Sequence, residues 1–127
     1  MAAGTNYEIE VVPVPEYLED QSDPGAGRYV FAYTITIRNT GNVAAQLISR
    51  HWIITDAQGR VQEVRGLGVV GYQPLLQPGE HFDYTSGCAL QTPVGTMRGS
   101  YQMVAEDGTQ FEATIPEFTL AVPRVLH

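Results

Sequence analysis

The densest candidate for chemistry in this chain is Arg65 followed by Gly66-x-Gly68-x-x-Gly71. This spacing matches the glycine pattern of dinucleotide and pyrophosphate sites, where glycines let phosphate approach the backbone and a following helix offers unpaired N–H groups. Here Tyr72, Gln73 and Pro74 follow, then Pro78 and Gly79, so no helix of ordinary length starts where such a site needs one. The helix-dependent version fails. Two readings remain: glycines that permit a bend, a bulge or close approach between sheets, and a concavity of successive N–H groups that holds a small phosphate-containing anion beside Arg65. Arg65, Gly66, Gly68 and Gly71 are therefore the candidate ligand-binding residues.

Other chemistries find less support. His51, His81 and His127 are widely separated, and no pair of them stands at metal-ligand spacing. Glu19, Asp20 and Asp23 are better read as a solvated acidic loop than as a cation site. Ser86 and Cys88 sit in neither a Gly-x-Ser-x-Gly elbow nor a recognised cysteine-nucleophile motif. Cys88 reads as a small buried hydrophobe, His51 as a sheet residue with a satisfied ring nitrogen, and Trp52 as core. No catalytic residue, metal ligand or cofactor is assigned.

Composition narrows the classes further. The chain has no lysine, which excludes a lysine-containing phosphate loop and Schiff-base chemistry. Seven arginines face fourteen acids for a net charge of −7, which argues against nucleic acid, although Arg50, Arg60 and Arg65 on neighbouring strands leave room for a local positive face. Before Arg28 every charged side chain is acidic.

The elements that must position these residues read as strands. From 28 to 38, Tyr29, Phe31, Tyr33, Ile35 and Ile37 alternate with smaller or polar residues, the period of a strand with one buried face. Asn39-Thr40-Gly41-Asn42 ends it in a turn. The next strand spans 46–56 and looks central, with Ile48, Trp52 and Ile54 on one face and Leu47, His51 and Ile53 on the other. Ala57-Gln58-Gly59-Arg60 makes a hairpin turn into 61–64, with Gly59 at the positive-φ position. Further strands are predicted at 7–14, 81–86, 99–106 and 110–115, the last two joined at Asp107-Gly108 as a hairpin. The acidic stretch 16–27, ending with Pro24, Gly25 and Gly27, reads as an exposed, mobile loop. About seven short antiparallel strands with no confident helix predict an all-β fold, a two-sheet antiparallel β-sandwich of the immunoglobulin or fibronectin type III kind.

At 127 residues the chain is long enough for one core, so a single domain over 1–127 is expected, with the core at about 7–120 and short flexible termini. No apolar run reaches the roughly 20 residues of a membrane-spanning helix. The amino terminus lacks the basic start and apolar stretch of a secretory signal, and the lone Cys88 suits a reducing compartment, so a cytoplasmic location is expected.

Several segments resemble the ApaG family, also called CorD. They are Arg50-His-Trp-Ile-Ile-Thr-Asp56, Val64-Arg-Gly-Leu-Gly-Val-Val-Gly-Tyr-Gln-Pro74, Pro78-Gly-Glu-His-Phe-Asp-Tyr-Thr-Ser-Gly87, Gly95-Thr-Met-Arg-Gly-Ser-Tyr101 and Ile115-Pro-Glu-Phe118. Together they place about 7–120 inside one such domain. The resemblance implies a fibronectin-type sandwich and a loose connection with cobalt resistance and magnesium efflux, without a known reaction. Related domains in an F-box protein and a polymerase-interacting protein imply protein binding. The expected function is a non-enzymatic interaction module whose partner is another protein, met by loops or by an exposed sheet edge. The alternative is a small-anion or nucleotide-phosphate binder at Gly66-x-Gly68-x-x-Gly71. Nothing in the residues specifies an oligomeric state.

Overall fold

The computed structural model describes residues 4–123; the expectation that His127 is frayed falls outside them. Among the described residues eight strands form: β1 (Ile9–Tyr17), β2 (Tyr29–Asn39), β3 (Ala45–Asp56), β4 (Val61–Leu67), β5 (Leu75–Leu76), β6 (His81–Leu90), β7 (Val94–Ala105) and β8 (Gln110–Ala121). One sheet has the order β1-β2-β6, the other β4-β3-β7-β8 with β5 paired to β3, and every pairing is antiparallel. This is the expected β-sandwich. No helix among the described residues is long and apolar enough to cross a membrane.

The alternation in β2 does what its period requires: Phe31, Tyr33, Ile35 and Ile37 are buried between the sheets. Trp52 of β3 meets them from the opposite sheet, 5.3 Å from the Tyr33 ring and 5.9 Å from Phe118, in edge-on contacts. The turn after β2 is held as its residue types imply. Asn39, itself buried, donates through Nδ2 to the carbonyls of Val43 and Leu76 and accepts the Gly41 amide at Oδ1. Gly59 (φ 79°) and Gly108 (φ 86°) occupy the left-handed positions of the two hairpins expected after β3 and β7.

Two register shifts depart from the strict two-residue pattern. In β3 the register against β7 shifts between Leu47 and Ser49, leaving Ile48 as the extra residue of a β-bulge. A bulge reverses the phase of a strand, so Leu47 joins Trp52 and Ile54 in the core, whereas the uninterrupted pattern assigned it to the other face with His51 and Ile53. A second shift between β7 and β8 falls at Pro116 and Glu117, where a proline loses no ladder bond. The strands also run longer than expected: β1 reaches Tyr17, β6 reaches Leu90, β7 begins at Val94, and β8 reaches Ala121. Small residues such as Gly87, Cys88 and Ala89 weaken the sequence signal while pairing regularly with β2.

The stretch between β1 and β2 is not a free loop. Two short 3-10 turns, Glu19–Gln21 and Pro24–Ala26, occupy it, the Leu18 amide donates to the Val30 carbonyl, and Asp23 bridges Arg28. Ser22 closes the corner by donating to the Leu18 carbonyl while accepting the Val30 amide.

Candidate functional site

The Gly66-x-Gly68-x-x-Gly71 segment leaves the end of β4 and turns back sharply. The Gly68 amide donates to the Ile48 carbonyl at 2.8 Å, and Val69 and Tyr72 exchange two backbone bonds at 2.8 and 2.9 Å. Val70 (φ 43°) and Gly71 (φ 85°) form the tip of this two-residue turn, both left-handed. Gly68 is also left-handed (φ 62°), and a Cβ there would lie 2.3 Å from the Tyr72 carbonyl oxygen. The amides of Gly68 and Val69 are thus spent on backbone carbonyls, while those of Val70 and Gly71 take no part in these pairs.

Gly66 has a different task. It stands opposite Arg50 in the β3–β4 ladder, and the space a side chain would fill is taken by the Arg50 guanidinium, 2.8 Å from the position of such a Cβ. From there Nη1 of Arg50 donates to the carbonyls of Leu67 and Gly68 at 3.0 and 2.8 Å. Arg65 faces the other way. It opposes His51 on the outer side of the sheet and lines a groove with Ser49, Gln102 and Glu112 that Arg50 and Gly66 also border. The four candidate residues are therefore distributed over a turn tip, a bend, the bed of a guanidinium and an outer groove.

Of the possible positive face of Arg50, Arg60 and Arg65, Arg50 and Arg65 border one groove, while Arg60 is engaged elsewhere. Arg60 pairs with Asp56 at 2.5 Å, and Arg50 and Arg65 point to opposite sides of their sheet. His51 meets Glu63 at 3.1 Å through Nε2, which gives its ring the satisfied nitrogen expected of a sheet residue. His81 lies 3.6 Å from Asp83. Ser86 is five residues further along β6, on the opposite face from His81, a separation of roughly 17 Å at strand rise. Glu19, Asp20 and Asp23 are exposed on the turns before β2. Among the described residues no three His, Cys, Asp or Glu side chains are grouped as a metal centre would require.

Tertiary structure adds a cleft that sequence reasoning did not assign. The sandwich is closed on one side by β1 against β8. On the other, between the edges β4 and β6, lies an opening of about 370 Å³ lined by Tyr33, Arg50, Trp52, Gln62, Ser86 and Cys88. Arg50 is half-buried there. The ion pairs of the described residues are His51–Glu63, Arg60–Asp56 and His81–Asp83, so none of their carboxylates pairs with Arg50. A signal for it did exist: Arg50 has the same phase as Trp52 and Ile54, which puts a cation on the apolar face of a central strand.

Below Arg50 lies a layer of weakly acidic groups. Tyr84 and Tyr101 share a hydrogen bond of 2.5 Å between their hydroxyls, and the Cys88 thiol stands 3.8 Å from the Met97 sulfur. Burial raises the pKa of Tyr33, Tyr84, Tyr101 and Cys88, with Cys88 pushed up to about 11, while the Arg50 charge acts in the opposite direction on the three phenols. Each of these groups is neutral in both folded and unfolded chains at neutral pH, so stability there is unaffected. Above pH 9 the unfolded chain ionises first, and stability falls as pH rises toward 11. Cys88 alone accounts for a loss of about 2–3 kcal/mol by pH 11. Urea midpoints at pH 8 and pH 10.5 check this: a fall is expected, smaller in Cys88→Ala, and an unchanged midpoint contradicts it.

Comparison with known proteins agrees with this architecture. The family model described as the ApaG domain matches residues 19–105. Protein ApaG of Thiobacillus denitrificans is 71% identical over 127 residues, and that of Dechloromonas aromatica 68%, with 100% of both chains covered in each case. A Bordetella pertussis protein solved by crystallography under the name ApaA superposes with a TM-score of 0.91 at 63% identity, covering 94% of this chain and 97% of its own. With the matched segment running from the turns before β2 to the end of β7, and identity extending over the full length, the chain belongs to the ApaG domain family.

Proposed function

We propose that this chain is a non-enzymatic binding module that engages another protein through the open side of its sandwich, between β4 and β6. The observation that carries the reading is the cleft itself: one side of the sandwich is closed by β1 on β8, and the other exposes two strand edges around a half-buried cation. Edge strands carry unpaired backbone groups, which is what partner segments use in strand addition. The candidate nucleophiles favour binding over catalysis. Ser86 and Cys88 face the cleft without a histidine base beside them, and a thiol with a pKa of about 11 is scarcely ionised at neutral pH. The lone cysteine favours a reducing cytoplasm as the place of action. In this reading the family's connection with cobalt resistance and magnesium efflux is indirect, exerted through the partner.

A photo-crosslinking residue at Gln62, on the open side, is expected to capture a discrete protein from native lysate, whereas one at Val12, exposed on β1, is not. Capture from neither position, or equally from both, overturns the reading. The second reading, a phosphate-containing anion at residues 66–71, rests on the uncommitted amides of Val70 and Gly71. Saturable pyrophosphate shifts confined to those residues would favour it; silence at millimolar pyrophosphate removes it.

A further inference from the structure

We propose that the edge of β6 opposite β2, unpaired among the described residues, takes over residues 84–90 an extended peptide as an added strand of the β1-β2-β6 sheet, and that Arg50 receives an acidic side chain of that peptide inside the cleft. The inference rests on the reading of the open side as a protein-binding surface and specifies its edge and its partner chemistry.

The four sheet edges are not equally protected. Proteins blunt their edges with prolines, charges and bulges. β1 carries Pro13 and Pro15 between Glu10 and Glu16, β4 carries Glu63 and Arg65, and β8 carries Glu112, a bulge at Pro116 and then Glu117. The β6 segment Tyr-Thr-Ser-Gly-Cys-Ala-Leu has no charge, no proline and no register shift against β2. Its charged residues, His81 and Asp83, lie before it and meet each other at 3.6 Å. Side chains flanking the free edge are also small. By strand alternation Thr85, Gly87 and Ala89 face outward and are exposed, while Ser86 and Cys88 face inward toward the cleft, so small side chains flank the edge on both faces.

Charge specifies the occupant. In a strand added to β6, alternate side chains point between the sheets at the level of Ser86 and Cys88, where Arg50 lines the same cleft. Arg50 spends Nη1 on the carbonyls of Leu67 and Gly68, and Gly66 lets the guanidinium lie flat against the backbone. It is a half-buried cation held in place by neutral acceptors, the arrangement that an incoming carboxylate completes. A second copy of this chain fits less well. Pairing β6 with β6 presents the uncharged segment 84–90 to each cleft, and Asp83 points outward, so neither Arg50 gains a carboxylate.

The test uses the isotope-labelled full chain and acetyl-Thr-Val-Thr-Glu-Thr-Val-Thr-amide, whose valines and glutamate share one face of a strand. Two further peptides accompany it: one with glutamine in place of glutamate, and one with alternate backbone amides N-methylated so that it cannot join a ladder. Amide shifts and slowed hydrogen exchange are expected within residues 84–90. The glutamate peptide should bind about tenfold or more tightly than the glutamine peptide. That difference should vanish in Arg50→Gln, whose own spectrum reports its fold, and the N-methylated peptide should not bind. Three results overturn the proposal: no response at millimolar peptide, equal affinity for the glutamate and glutamine peptides, or shifts centred on β4. So does concentration-dependent dimerisation that protects residues 84–90. If Gln62 captures a partner while residues 84–90 ignore the acidic peptide, the protein-binding reading stands and this inference falls.

Discussion

Gly99→Ala is expected to lose at least about 4 kcal/mol of folding stability, enough to deplete the soluble native protein, because β3 passes too close for any side chain at this position. A Cβ at 99 would lie 2.0 Å from the His51 carbonyl oxygen and 3.2 Å from the Trp52 Cα. Both contacts are backbone of the central strand, which pairs with β7 here, so neither can swing aside as a side-chain tip would. Gly99 also adjoins the β7–β8 register shift, where the backbones are already offset. Equilibrium urea unfolding measures the loss. Gly108→Ala is the control: its φ of 86° is strained for alanine, yet open space surrounds its Cβ position, so a loss of only about 1–2 kcal/mol is expected. Gly99 has no left-handed φ, so similar losses at both positions would mean that β3 yields around an added methyl and that close approach is not what makes Gly99 necessary.

Within the glycine motif, Gly68→Ala is expected to cost about 3 kcal/mol or more and Gly71→Ala about 1–2 kcal/mol. Both positions are left-handed, at 62° and 85°, so the conformational penalty is shared. They differ in space. The Gly68 Cβ would strike the Tyr72 carbonyl oxygen that accepts the Val69 amide, whereas the Gly71 Cβ enters open solvent. Urea unfolding of both variants separates the contributions. Equal costs would mean that the contact between Gly68 and Tyr72 relaxes without loss, and the bend would then owe nothing to close packing. The steep order of effects also distinguishes a structural bend from a phosphate cradle, where backbone approach at the exposed Gly71 would matter to binding and not to stability.

Much of the fold was legible because it depends on neighbours in the chain. The β2 alternation, the Asn39 turn and the hairpin glycines each follow from local geometry: side chains alternate across a strand, Asn bonds to nearby backbone, and glycine accepts positive φ at low cost. The bulge at Ile48 was not legible. An inserted residue leaves no composition signal, yet it moves Leu47 from one face of β3 to the other. The two-residue β5 was hidden for a related reason, since Leu75 and Leu76 become a strand only by pairing with Gln46 and Ala45. The acidic stretch before β2 read as a loose loop because its residues favour solvent, whereas its order comes from backbone bonds to a strand that follows it.

The candidate site divides along the same line. Sequence by itself determined that phosphate-loop and Schiff-base lysine chemistry are absent, that the chain folds as a β-sandwich, and that its motifs are those of the ApaG domain. It marked Gly66, Gly68 and Gly71 as unusual without separating their tasks. Only the tertiary structure made Gly66 the bed of a guanidinium, sent Arg50 and Arg65 to opposite faces, and opened a cleft between β4 and β6. The reason is physical. Strand identity and turn geometry are set by interactions a few residues long, whereas which edges remain free and which charges go unpaired depend on how distant strands are ordered into two sheets.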